Sequence, residues 1–131
     1  MEERELLERA KEALINAYAP YSGYRVGAAL LTREGKVFCG VNVENASFGL
    51  TICAERAAVA VAVASGYRSF VALAVAAEGE KEPFPCGACR QVLKEFGEMK
   101  VIIAGKKGKT LSFKLEDLLP YPFVKGENQT L

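Results

Sequence analysis

Cys53-Ala54-Glu55-Arg56 and Pro85-Cys86-Gly87-Ala88-Cys89-Arg90-Gln91 contain three of the four cysteines in a chain that has no histidine. Three thiolates can hold one zinc ion and leave its fourth position open to water, which separates a catalytic zinc from a structural one. Glu55 follows the first cysteine by two residues, so a carboxylate stands beside that water without being needed as a ligand. The chemistry these residues suggest is hydrolysis, with one zinc per chain held by Cys53, Cys86 and Cys89, and Glu55 as the proton carrier.

Residues i and i+2 of a helix point to different sides, so Cys53 and Glu55 cannot share a lateral face. Both can address an ion lying just beyond a helix N-terminus. Pro85 likewise favours a helix start at the second cluster, with Cys86 in the entry and Cys89 one turn on. Two helix N-termini then converge on the ion, and their unpaired N–H groups stabilise thiolates. Three thiolates overcompensate a divalent cation and weaken its power to acidify water. Arg56 can offset that excess by donating to a cysteine sulfur, and Arg90 or Gln91 can do so beside the second cluster. The alternative for Arg56 is a solvated charge on a helix surface.

Helices and strands alternate around these clusters. Leu6, Leu7, Ala10, Ala13, Leu14 and Ala17 recur at helical spacing, which predicts an amphipathic helix over 3–18, ended by Pro20. Val26 to Thr32 and Lys36 to Val43 read as an antiparallel pair joined at Arg33-Glu34-Gly35. The alanine-rich run from Cys53 to Ser65 reads as a buried helix stopped by Gly66. Phe70 to Ala77 and Val101 to Ala104 read as strands around a loop at Pro83 to Pro85 and a helix over Cys89 to Phe96, an order that favours parallel pairing. A turn at 105–109, a short strand over Leu111 to Phe113, a helical turn over Leu115 to Leu119 and a polar tail complete the chain.

Composition narrows the function classes. The 131 residues fit one domain, 1–131, and 50% hydrophobic residues supply its core. Seventeen basic against sixteen acidic side chains leave a net charge of +1, which argues against a surface built for nucleic acid or anionic lipid and favours a small neutral partner. The longest apolar run, Ala57 to Ala64, is far short of the roughly 20 residues that span a bilayer. Charges of both signs crowd Met1 to Glu12, which has no signal-peptide pattern, so the expected location is the cytoplasm. Cys-x-x-Cys with a distant third cysteine then favours metal over disulfides.

Cys-Ala-Glu followed by Pro-Cys-Gly-Ala-Cys-Arg-Gln resembles the zinc signature of the small single-domain cytidine deaminases, in the variant where cysteine replaces the first histidine. The likeness extends to Ala19-Pro20-Tyr21-Ser22, Val26-Gly27-Ala28-Ala29-Leu30-Leu31, Gly40-Val41-Asn42-Val43-Glu44-Asn45-Ala46 and Glu116-Asp117-Leu118-Leu119-Pro120, nearly the whole chain. It implies a three-layer α/β/α fold with a five-stranded mixed sheet, and a homotetramer that shares residues between active sites. It implies the conversion of cytidine, and of deoxycytidine, to uridine-type products and ammonia in pyrimidine salvage. Glu55 would take a proton from the zinc-activated water, pass it to N3 as C4 is attacked, and then assist the leaving amine. Asn42 and Glu44 would hold the ribose hydroxyls, and Phe123 would reach a neighbouring subunit's base. Asn42 and Glu44 lie two apart at a strand end, so both side chains can leave one face. The alternative for them is a polar turn, and for Phe123 simple packing of a terminal segment.

Two positions depart from the family pattern. Tyr24 stands where a phenylalanine usually meets the nucleoside, and its hydroxyl needs a partner if buried. Ala57 replaces a frequent threonine. Cys39 reads as a small core residue. Were it a fourth ligand, the site would be a structural zinc module with an idle glutamate. A deaminase of bases within nucleic acid would need a longer basic track than Lys106, Lys107 and Lys109. Within small-molecule deamination the nearest alternative is a nucleoside-antibiotic deaminase of the blasticidin S type, and glutamate at position 44 favours cytidine.

Overall fold

The computed structural model describes residues 1–79 and 81–125. The expected polar tail lies mostly outside them. The elements run α1 (Glu3–Ala13), a 3-10 turn (Leu14–Asn16), β1 (Val26–Thr32), β2 (Val37–Val41), a 3-10 turn (Phe48–Leu50), α2 (Ala54–Ala64) and β3 (Phe70–Ala77). Then follow α3 (Gly87–Lys94), β4 (Lys100–Ala104), a 3-10 turn (Lys106–Gly108), β5 (Thr110–Lys114) and α4 (Leu115–Leu118).

The strands form one sheet in the order β2-β1-β3-β4-β5. Alternate residues of each strand face opposite sides, and both sides are apolar, so both must be covered. Ala29, Ala72, Ala74, Ala76 and Ile102 meet Leu6, Leu7 and Ala10 of α1 on one face. Ala28, Leu30, Leu73, Val75, Val101 and Ile103 meet Ala58, Ala62, Leu93 and Leu115, from α2, α3 and α4, on the other. This is the expected α/β/α arrangement with a five-stranded mixed sheet.

Within the sheet the β3–β4 pair is parallel, with Ala72 opposite Lys100 and Val75 opposite Ile103. β2 runs in the same direction as β3, yet β1 lies between them, antiparallel to both. The hairpin takes one edge of β1 and leaves the other for β3. Gly35 closes that hairpin at φ +92, a left-handed backbone that glycine adopts without a Cβ penalty.

The first helix is shorter than its periodicity predicts. It tightens after Ala13 and ends at Asn16, because Tyr18 pairs with the chain beyond β2: its N–H donates to Asn42 O at 2.9 Å and its carbonyl accepts from Glu44 N at 2.8 Å. The β2 ladder also stops early, at Val41, and Val43 bridges Tyr18 and Ile52 instead. α3 begins two residues before the expected Cys89, capped by Cys86. No helix among the described residues is long and apolar enough to cross a membrane.

Candidate active site

Cys53 and Cys86 are the N-caps of α2 and α3, both in extended backbone conformation. The Cys86 sulfur accepts the N–H of Cys89 at 3.5 Å, which closes the first turn of α3 and sets Cys89, fully buried, one turn further in. Arg90 fixes the approach to that helix. Its Nε donates to Pro85 O at 2.7 Å and its Nη1 to Leu118 O at 2.8 Å, tying the loop before α3 to α4. On the other side, Gly40 of β2 lets α2 lie against the sheet: a Cβ there would stand 2.5 Å from Ala54 O and 2.3 Å from Ala58 N.

The sulfurs of Cys53, Cys86 and Cys89 all lie within 4.8 Å of one another. Zn–S bonds of about 2.3 Å in tetrahedral geometry require S···S separations of roughly 3.8 Å, so an inward shift of an ångström or less at each pair suffices. The donor set therefore fits zinc. Cys39 is not part of it. Its side chain packs with the α1 layer, on the opposite face of the sheet from α2, and its sulfur lies 3.9 Å from Arg9 O.

The electrostatics of the site favour thiolate at Cys53. The Cys89 thiol and then the Arg56 guanidinium hold the Cys53 thiol down to about 5, against the opposing effect of burial. The hydrogen bond shared with Cys53 and burial push the Cys89 thiol upward. Arg56 donates through Nη2 to Cys53 Sγ at 3.5 Å and to Thr51 O at 3.4 Å. It is thus a sulfur donor and not a solvated surface charge. Its buried Nε has no hydrogen-bond partner among the described residues, nor has the Thr51 hydroxyl.

Glu55 is only 5% exposed in the first turn of α2. Burial pushes its carboxyl up to about 7, and the nearby Cys53 charge adds to the rise. A cation beside it would draw that value back down. Tyr24 senses the same carboxylate. Burial first, and the Glu55 charge second, raise its phenol above the ordinary value.

The bridge between Val43 and Ile52 sets residues 42–44 alongside the approach to Cys53. Asn42 and Glu44 are both buried there. The Asn42 amide already serves the protein: Oδ1 accepts Val26 N at 2.9 Å and Nδ2 donates to Tyr24 O at 2.8 Å. Glu44 Oε1 accepts the N–H groups of Tyr21 and Ser22, each at 3.0 Å, and Oε2 accepts the Ser22 hydroxyl. Sequence reasoning did not single out Ser22 for any role. A serine that serves a carboxylate 22 positions away leaves no local pattern to read.

Gln91 is not where the sequence reading put it. Instead of reaching the cysteines, its amide clamps the backbone of Phe123, accepting from Phe123 N at 3.0 Å and donating to Phe123 O at 2.8 Å. Position 91 lies five residues beyond the Cys86 cap, where the helix has turned the side chain toward the C-terminal segment. Phe123 is anchored by its backbone, and the residue is 71% exposed.

The match to known proteins is extensive. Residues 1–105 match the model for the cytidine and deoxycytidylate deaminase zinc-binding region. The chain is 46% identical over 129 residues to a cytidine deaminase of Sporosarcina psychrophila, covering 97% of this chain and 95% of that protein. It is 49% identical over 130 residues to a probable cytidine deaminase of Dictyostelium discoideum, covering 95% and 88%. The crystal structure of cytidine deaminase from Burkholderia pseudomallei superposes with a TM-score of 0.89 at 50% identity, covering 94% of this chain and all of that one. With the family model spanning most of its length and close relatives matched almost end to end, this chain belongs to the zinc-binding cytidine and deoxycytidylate deaminase family.

Proposed function

We propose that this chain is a zinc-dependent hydrolase that converts cytidine, and deoxycytidine, to the corresponding uracil nucleoside and ammonia, a reaction of pyrimidine salvage. The observation that carries the reading is Glu55: a buried carboxyl held two residues from Cys53, at a set of three sulfurs that fits zinc. Bound at Cys53, Cys86 and Cys89, the metal supplies a Lewis acid that activates water near neutral pH.

The remaining work belongs to the protein. Glu55 accepts a proton from the attacking water and donates it to ring N3, so that C4 can take the new C–O bond. It then carries the second proton to the amine as the C4–N bond breaks. One carboxylate can do both because each proton it takes is handed on, so it returns to the same state after each transfer. Arg56 draws charge from the Cys53 sulfur and limits how far three thiolates blunt the metal.

Asn42 and Glu44 are the candidates for the sugar. After its two backbone bonds, the Asn42 amide keeps one N–H free to donate. A carboxylate has about four acceptor sites, and Glu44 has filled three. A hydroxyl both donates and accepts, so the capacity left on the pair suits one. Tyr24 lines the base side near Glu55. Phe123, anchored by Gln91, is largely exposed, which fits a contact with a neighbouring subunit.

The same reading includes a homotetramer acting in the cytoplasm as a single domain over 1–131, with a small nucleoside as partner and neither nucleic acid nor membrane. Support for assembly comes from the neighbouring Tyr18, Val43 and Ile52, which stay exposed together with Phe48 and Leu50 close by in sequence. A patch of that kind is typical of an interface. The structural-zinc alternative is disfavoured by the position of Cys39, on the far face of the sheet.

The direct test follows ultraviolet absorbance as zinc-loaded protein is given cytidine, deoxycytidine, free cytosine, blasticidin S and single-stranded DNA. Turnover of the two nucleosides is expected. Turnover of the antibiotic or the DNA alone would replace the reading.

A further inference from the structure

Glu44 is 5% exposed, and no basic side chain forms a salt bridge with it among the described residues. A buried carboxylate without a counter-ion is costly unless hydrogen bonds satisfy it. Three do, and Ser22 supplies two of them: its N–H to Oε1 at 3.0 Å and its hydroxyl to Oε2. The third comes from Tyr21 N. The Ser22 oxygen itself accepts the N–H of Tyr24 at 3.0 Å. With its oxygen held by that N–H, the hydroxyl has its proton aimed at Glu44. Ser22 thus joins Glu44 to Tyr24, whose carbonyl is in turn held by Asn42.

We propose that Ser22 is a positioning residue for nucleoside recognition: it locks the Glu44 carboxylate so that Oε2 keeps a single acceptor site, aimed at a sugar hydroxyl. The inference rests on the reading that Glu44 meets the sugar. Binding groups act best when their own orientation is fixed before the substrate arrives, since the ordering cost has then been met in folding. Loss of the Ser22 hydroxyl would leave Oε2 with two open sites and the carboxylate with less to hold its rotation. The same loss frees Tyr24 N, so one oxygen governs both the sugar acceptor and the segment that carries the aromatic ring.

The test compares zinc-loaded parent, Ser22→Ala, Ser22→Thr, Glu44→Gln and the Ser22→Ala/Glu44→Gln double variant, with cytidine as substrate. Hydrogen bonds to charged groups are worth enough that Ser22→Ala should lose about 10- to 100-fold in kcat/KM. Most of that loss should fall in KM, with zinc content unchanged. Ser22→Thr keeps the hydroxyl and should recover most of it, which guards against a fault of folding in the alanine variant. In the double variant the loss should be no greater than in Glu44→Gln alone, because the two residues act as one unit. An impaired Glu44→Gln beside a normal Ser22→Ala overturns the inference and leaves the sugar reading standing. Losses that add in the double variant also overturn it. A normal Glu44→Gln removes the sugar reading and this inference with it.

Discussion

Gly40 of β2 faces the backbone of Ala58 in α2 so closely that a Cβ on the glycine would lie 2.3 Å from the Ala58 nitrogen. The contact is backbone to backbone, so neither side can yield by a rotamer change. Gly40→Ala should push α2 away from the sheet and carry Cys53, its N-cap, with it. Overpacking of this kind costs about 1–3 kcal/mol, and the value here should sit at the upper end. Chemical denaturation of the apo protein measures the stability loss. Competition with a chelator on the same variant should show weaker zinc retention, and a Gly40→Ala protein with parental stability would contradict the packing described.

Glu55→Gln keeps the size and hydrogen-bonding shape of the side chain and removes its ability to take and return a proton. General acid–base catalysis is commonly worth roughly 10²- to 10⁴-fold, and a group serving both transfers belongs at or above the top of that range. Zinc content should not change, since the three sulfurs hold the metal without the carboxylate. Near-normal uridine formation by a zinc-loaded Glu55→Gln protein would exclude Glu55 as the shuttle.

Alanine at Cys53, Cys86 or Cys89 leaves two protein ligands, and each variant should lose activity and most of its metal. Cys86→Ala should in addition weaken the start of α3, because the Cys86 sulfur accepts the Cys89 N–H. Cys39→Ser should retain about one zinc per chain, as its side chain lies in the α1 layer. Elemental analysis of the four proteins decides the ligand set.

The hydrogen bonds from Ser22, aided by Tyr21 N, hold the Glu44 carboxyl below the ordinary carboxylate range, and Arg25 does the same for Glu78. A depressed native pKa contributes stability that is fully present above about 4.5 and disappears as pH falls through the lowered native value. Thermal melting from neutral to strongly acid pH should therefore show an acid limb that Glu44→Gln makes shallower. Glu78→Gln should change it less, because the Arg25–Glu78 pair is more than a third exposed on each side and is screened by solvent. A parallel shift of the whole curve in Glu44→Gln, with the slope unchanged, would show that the carboxyl does not titrate with folding.

What the sequence determined by itself was whatever depends on neighbours along the chain. The metal cluster was legible because its ligands sit at two helix starts, and helix starts leave local marks: Pro85, the cysteine spacings, and an alanine run after Cys53. β1 and β3 were legible to the residue, since both are continuous apolar stretches with a clear end. Tertiary contacts decided the rest. The end of α1 was set by the pairing of Tyr18 with residues 42–44, which no periodicity in 3–18 can announce. Gln91 looked toward the cysteines in sequence, yet the direction of a helical side chain depends on what packs beside the helix, and here that is the segment at Phe123. Ser22 gained its place only when the fold laid the 21–24 turn against Glu44. A hydrogen bond fixes partners in space and not along the chain, so residue types and spacing name the reacting groups, and only the folded backbone tells which side chains hold them still.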